Sequence, residues 1–358
     1  MKAAVPRSGP SAPAEARLID VAAIRAAASR LRGIARRTPL HPTGLEGPDD
    51  PAPLVWLKCE NLQHVSAFKA RGAYNFVSLL PEARRAAGLV TYSSGNHAQG
   101  VAFAARAFGV PATIVMPVDA PGVKLEATLA LGATVERIGT TSSERRERAE
   151  AIVRERGGAM VPPFDHPDII AGQGTVGLEI VEQLAMAVGE RATPSRLSLV
   201  LVPVGGGGLI SGVAVALRAL APEARVIGIE PEGAASMRAS LEAGTPVTLD
   251  RVETVADGLK PVRPGDLTFL HCRELVDRVV TVTDEEIRIA TVWLFRRRLV
   301  AEPSGAASVA ALLSGRVEPA ADEGATVAVV SGGNVDPGLL AAWLGTPRAA
   351  ERPAGAAR

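Results

Sequence analysis

Cysteine is scarce: Cys59 and Cys272 are the only two in 358 residues. They lie far apart and outside any CxxC pair, which excludes a disulfide framework and a zinc ribbon and fits a reducing cytoplasm. Aromatics are few as well (7 Phe, 2 Tyr, 3 Trp), so stacking platforms for bases or sugars are lacking. Neither sign of charge prevails, because 39 Lys plus Arg against 38 Asp plus Glu leave a net charge of +1. There is no basic field for nucleic acid and no like-charged tail. No apolar run reaches the roughly 18 residues of a membrane-spanning helix. The start, MKAAVPRSGPSAPAEARL, is broken by three prolines before any stretch of signal-peptide length. No fixed-period repeat is visible, which argues against a solenoid. A soluble, cytoplasmic protein with a small-molecule partner, no nucleic acid and no membrane is expected.

What the chain does contain is an alternation. Short β-branched runs at 89–94, 112–117, 133–138, 197–204, 225–230 and 326–331 alternate with helical patterns at 97–108, 122–131, 143–156, 209–220 and 304–314. That is the rhythm of an α/β protein with parallel sheets covered on both faces. TDEE at 283–286 has the form of a capping box and starts a helix expected to run to about residue 299. PPFDHPDIIAGQG at 162–174, with its prolines and a turn, reads as a break in the rhythm. The expected layout is a disordered tail over 1–18, a large domain over 19–87 and 166–345, a small inserted α/β domain over 88–165, and a loose tail over 346–358.

Three strand-to-helix loops carry chemistry. In VLVPVGGGGLISG a strand ends at Val204, and Gly205, Gly206, Gly207 and Gly208 precede a helix. Bare N–H groups at the positive end of a helix make a phosphate cradle. A tight turn with nothing bound is the plainer reading, although four ordered glycines cost about 1 kcal/mol each relative to alanine. The absent Gly-Lys-Ser/Thr ending excludes a P-loop. Gly206, Gly208 and Gly212 could be spaced as a relaxed dinucleotide fingerprint with Glu230 as the ribose acid, which keeps a nicotinamide-dependent oxidoreductase open. In the second loop Ser93, Ser94, Gly95, Asn96 and His97 open a helix, where free N–H groups could hold a carboxylate. One of them could simply be an N-cap, and His97 alone reads as a structural histidine. The third, VAVVSGGNVD, repeats the strand-to-loop pattern with Ser331. Finally, Lys69 sits among Ala67, Phe68, Ala70, Gly72 and Ala73, an odd setting for an ammonium, since lysine is rarely buried unpaired.

Taken together, RTPL, SAFK, SSGNHAQG, IAGQGT, PVGGGGL, VADG, TVTDEEI, EPSGA and SGGN, in that order, make the chain resemble the fold-type II pyridoxal-phosphate enzymes. The branch is that of the threonine/serine dehydratases and serine racemases. The resemblance implies the tryptophan synthase β-like fold, with two parallel-sheet lobes and the cofactor between them. It makes Lys69 the Schiff-base lysine, with Phe68 beside the cofactor ring. Gly205 to Gly208 would hold the phosphate, Asn96 the ring hydroxyl and Ser331 the pyridine nitrogen. Ser93, Ser94, Gly95 and His97 would surround the substrate carboxylate. The physics agrees for Lys69: an amine with a pKa of about 10.4 is protonated in water, and burial lowers it.

The implied reaction is dehydration and deamination of L-threonine or L-serine to a 2-oxo acid and ammonia. Serine racemisation, or dehydration of a larger β-hydroxy amino acid such as 3-hydroxyaspartate or phenylserine, is the alternative. A non-catalytic cofactor or amino-acid binder is a further one. Ser94 is catalytic on this reading. It stands where many dehydratases have alanine, and a hydroxyl there permits racemisation, with an N-cap as the plainer role. Arg145 could meet a second carboxylate, but in SSERRERAE it reads more simply as a solvated arginine. Ala67 departs from the family's Gly-Ser-Phe-Lys pattern and removes a hydroxyl two residues before the lysine. Ser236 and Ala234 after Glu230 are poor ligands for a divalent cation, so no metal is expected. No segment after 345 suits an amino-acid-sensing domain, and a homodimer is what the family suggests.

Overall fold

The computed structural model describes residues 17–43, 55–93, 95–120, 122–188, 197–320 and 324–345. Ser94, the expected tail over 346–358 and all but two residues of the tail over 1–18 lie outside them.

Two sheets organise the chain. The larger has the order β1-β2-β10-β7-β8-β9, built from Leu40–Pro42, Val55–Cys59, Ala325–Val330, Leu197–Pro203, Arg225–Pro231 and Arg278–Val282. Only β1 runs antiparallel, on an edge where Pro42 costs no ladder bond. The smaller has the order β5-β4-β3-β6, all parallel, from Thr134–Arg137, Ala112–Met116, Leu89–Tyr92 and Ala159–Met160. Its strands come only from residues 89–160. The helices are α1 Val21–Leu31, α2 Lys69–Ser78, α3 Glu82–Ala86, α4 Asn96–Phe108, α5 Gly122–Ala130, α6 Ser142–Arg156, α7 Pro167–Val188, α8 Gly208–Leu220, α9 Ser236–Ala243, α10 Asp266–Leu275, α11 Asp284–Arg296, α12 Pro303–Leu313 and α13 Pro337–Gly345. None of the described helices is long and apolar enough to cross a membrane.

Strand alternation explains how the larger sheet is covered. On β7, Leu199 and Leu201 join Ile227, Val330, Ile287 and Ala306 on one face, whereas Val200 and Val202 join Val226, Val329, Ile210 and Val213 on the other. Both faces are buried, as a parallel sheet requires, and each such side chain contributes about 1.5–3 kcal/mol of transfer free energy. A third core of Leu89, Ile114, Met116, Val101 and Ala105 packs α4 on the smaller sheet.

The capping box of α11 is present, with Thr283 Oγ1 accepting from Glu286 N and the Glu286 carboxylate accepting from Thr283 N. That helix stops at Arg296, short of residue 299, and Arg298 turns left-handed at φ 66°. Of the segment read as a break, residues 162–166 are irregular, but from Pro167 onward it is already α7, a 22-residue helix. Pro167 suits a first helical position. The glycines of IAGQG are there for close packing: a Cβ on Gly172 would lie 2.6 Å from Gly72 Cα, and one on Gly174 would lie 2.9 Å from Gly212 O. Thus α7 meets α2 and α8 backbone to backbone, and their packing offsets the cost of helical glycine.

Candidate active site

Lys69 opens α2 after a short turn, His64–Ser66, in which Val65 and Ser66 are left-handed at φ 54° and 50°. A branched residue rarely adopts that conformation unless its surroundings impose it. Here the loop after β10 imposes it. Gly333 N donates to Ser66 O at 2.8 Å, Asn334 Nδ2 donates to Val65 O at 2.8 Å, and Phe68 N donates to Ser331 O at 3.2 Å. Ala67 bridges Gly332.

Beneath the lysine lies a balanced ionic cluster. Arg71 Nε and Nη2 both donate to the Glu60 carboxylate at 2.8 Å, and Arg71 Nη1 donates to Glu179 Oε1 at 2.7 Å. Lys58 Nζ donates to Glu179 Oε2 at 2.6 Å and to Thr38 O at 2.7 Å. This ties α2 to β2 and α7, and so fixes where Lys69 points. Among the described residues no carboxylate pairs with the Lys69 ammonium: Nζ donates to Pro163 O at 2.6 Å and lies 5.2 Å from the Phe68 ring centre. Burial lowers its pKa to about 8.

The four-glycine loop follows β7. Gly207, at φ 93°, precedes α8, and no side chain caps that helix. A Cβ on Gly206 would enter the Phe164 ring, and one on Gly207 would lie 2.8 Å from Met237 Cε. Thr268 Oγ1 donates to Gly206 O at 2.7 Å, which turns the loop's carbonyl aside and leaves its amides for a ligand. Uncapped N–H groups at the start of a 13-residue helix suit a phosphate. The dinucleotide reading does not fit here. Gly212 packs against α7, and Glu230 is buried with its carboxylate accepting from Met237 N at 2.8 Å and Arg238 N at 2.9 Å. Burial raises the pKa of Glu230 to about 8, against the lowering pull of those two N–H groups. Ser236 Oγ donates to Pro261 O at 3.1 Å.

At the loop before α4, Ser93 Oγ accepts from Gly95 N at 3.3 Å, and α4 has no side-chain cap. His97 Nε2 donates to Val161 O at 3.1 Å. Its pKa falls to about 3, by burial first and by the Lys69 cation second. A neutral, hydrogen-bonded imidazole orients the loop and carries no proton at neutral pH. Asn96 is held at both ends: Oδ1 accepts from Asn334 Nδ2 at 2.8 Å, and Nδ2 donates to Glu302. One Nδ2 hydrogen remains for a ligand. Asn334 and Glu302 stand within the SGGN and EPSGA stretches, but their spacing alone gives no sign that they meet Asn96. Ser331 is buried at the end of β10.

Arg145 is not the solvated arginine its sequence context suggests. It is 9% exposed, donates to Thr140 O and Ser142 Oγ at 3.1 Å, and leaves Nε unpartnered.

An isolated lysine of lowered pKa, an uncapped glycine cradle and a fixed asparagine describe a pyridoxal-phosphate site, and residues 31–333 match the family of pyridoxal-phosphate dependent enzymes. The chain belongs to that family, and pyridoxal phosphate is its cofactor. It is 46% identical over 288 residues to the L-threonine ammonia-lyase of Thermotoga maritima, covering 80% of this chain and 68% of that protein. It is 40% identical to an L-threo-3-hydroxyaspartate ammonia-lyase of a Pseudomonas species, covering 87% and 93%. The structure of maize serine racemase superposes with a TM-score of 0.81 at 35% identity, covering 91% and 97%.

Proposed function

We propose that this protein is an ammonia-lyase that eliminates water from L-threonine or L-serine, releasing a 2-oxo acid and ammonia. The observation that carries the reading is Lys69, lowered to about 8 by burial with no carboxylate to hold its charge. Bound pyridoxal phosphate supplies the electron sink for a carbanion at the substrate Cα. Lys69 holds the cofactor and, as a free amine, takes the Cα proton. The amides of Gly205 to Gly208 would bind the phosphate, and Phe68 would flank the cofactor. The remaining Asn96 Nδ2 hydrogen would be available to the cofactor's hydroxyl. Ser331 would face its nitrogen as an uncharged partner, which would favour prompt elimination. Ser93, Gly95 and the α4 amides orient the substrate carboxylate, with His97 bracing them. Ser94, outside the described residues, is assigned by the resemblance alone as a carboxylate-side or acid/base group. Loss of the β-hydroxyl as water leaves an enamine that hydrolyses to the 2-oxo acid. A cytoplasmic homodimer with a small domain over 88–165 belongs to the same proposal and is supported by the resemblance.

Arg145 supports a second reading, 3-hydroxyaspartate as substrate, because a buried guanidinium whose Nε has no hydrogen-bond partner among the described residues suits a substrate's second carboxylate. A screen of β-hydroxy amino acids for 2-oxo acid release, with chiral analysis of the remaining amino acid, tests both. Release from L-threonine and L-serine is expected. Activity on 3-hydroxyaspartate alone, lost in Arg145→Met, would favour the second reading, and D-amino acid without 2-oxo acid would refute elimination.

A further inference from the structure

Charged side chains that the proposed function leaves unused converge where the site's loops meet. Lys124, on α5, is buried, and its Nζ contacts the Asp257 carboxylate, with Glu302 Oε2 at 3.7 Å. Glu302, 1% exposed just before α12, accepts from Asn96 Nδ2 on Oε1, while its Oε2 has no hydrogen-bond partner. Asp257 begins the turn Asp257–Leu259. There Ser304 Oγ donates to Asp257 Oδ1 at 3.4 Å and accepts from Gly258 N at 2.8 Å. One ammonium therefore serves two carboxylates. A Cβ on Gly95 would lie 3.7 Å from Lys124 Nζ, so the ammonium sits beside Gly95 at the start of α4. Lys124 and Asn96 belong to helices that follow strands of the smaller sheet, whereas Asp257 and Glu302 belong to segments of the larger one.

We propose that Lys124 is a positioning residue for the substrate carboxylate, acting through the Lys124–Asp257–Glu302 clamp that ties the 93–97 loop to the larger sheet's loops. The proposal rests on the reading that this loop receives the carboxylate. Backbone amides bind an anion well only when their directions are fixed beforehand, since ordering a loop at each encounter consumes binding free energy. The clamp supplies that order across the junction of the two sheets. Because Asp257 and Glu302 already share its charge, Lys124 braces the loop without itself being a ligand of the substrate. Glu302 extends the brace to Asn96. Such a device acts on capture of the substrate, and its loss appears in KM and leaves kcat nearly alone.

The test uses holoenzyme carrying Lys124→Met, Lys124→Arg or Asp257→Asn. Binding of L-alanine, which has no β-leaving group, is followed by the visible band of the cofactor, together with KM and kcat for L-threonine. Lys124→Met is expected to weaken L-alanine binding and raise KM by about tenfold, with kcat within about threefold, as for the loss of a charge-assisted contact. Lys124→Arg recovers most of the affinity, and Asp257→Asn shifts it in the same sense by less. If Lys124→Met does not fold, Asp257→Asn, at a partly exposed position, carries the test. Unchanged L-alanine affinity in the folded variants, or a fall in kcat with affinity intact, overturns the proposal. Ser93→Ala separates the two layers. If it weakens L-alanine binding while the clamp variants do not, the clamp alone is wrong; if it too leaves binding unchanged, the carboxylate reading falls and the clamp proposal with it.

Discussion

Replacing Lys69 by methionine in the cofactor-free protein should change the pH dependence of stability by a calculable amount. Burial lowers the lysine's pKa from its ordinary 10.5 to about 8. Between those values the unfolded chain retains a proton that the folded chain has released, so folding stability rises with pH, and below pH 8 the folded protein bears the full penalty. Integrated from pH 7 to pH 10, the difference is about 2–3 kcal/mol, at about 1.36 kcal/mol per pH unit where only the unfolded state is protonated. Lys69→Met removes this dependence, whereas every other alkaline titration is common to both proteins and cancels. Urea unfolding of both apo-proteins at the two pH values measures it. The stability of the methionine variant relative to wild type should fall by about 2–3 kcal/mol on going to pH 10. A difference constant to within about 0.5 kcal/mol would show that Lys69 is solvated as an ordinary ammonium and would refute the physical basis of its assignment.

Other substitutions probe the frame. Ser66→Gly relieves a left-handed serine at φ 50° and should raise stability by about 0.5–1 kcal/mol, read as a melting temperature about 1–2 °C higher. Gly206→Ala drives a Cβ into Phe164 and should weaken pyridoxal-phosphate binding by at least about tenfold, with recovery in the Gly206→Ala/Phe164→Leu pair if that collision is the cause. Glu60→Gln leaves Arg71 and Lys58 under-neutralised in a buried cluster and should cost about 3–5 kcal/mol in chemical denaturation; a cost below about 1 kcal/mol would mean the cluster is hydrated.

The parallel strands were legible because a strand buried on both faces must be written in β-branched residues, as in LSLVLVP and ATVAVV. The start of α7 was not, because glycines that permit helix–helix contact look locally like a turn, and only Gly72 and Gly212 across the interface reveal their purpose. β2 and β9 are not evident either, being five-residue runs, one with Lys58 inside it and the other opened by Arg278. In the site, Lys69 stood out through its apolar neighbours, and the three loops through their glycines. Asn334, Glu302, Lys124 and Asp257 did not stand out, since their partners lie far away in sequence and a buried ion pair has no local signature. Arg145 shows the same blindness: five other charged residues in SSERRERAE suggest solvent, yet the first turn of α6 buries it.

On the proposed function Lys69, and no other lysine, joins the cofactor. The chain has five lysines, Lys2, Lys58, Lys69, Lys124 and Lys260, and both Lys58 and Lys124 are buried too. Borohydride reduction of the pyridoxal-phosphate-loaded protein, followed by peptide mass mapping, should place the pyridoxyl group on the peptide containing Lys69. A label on Lys58 or Lys124, or loaded protein with no label at all, would contradict it.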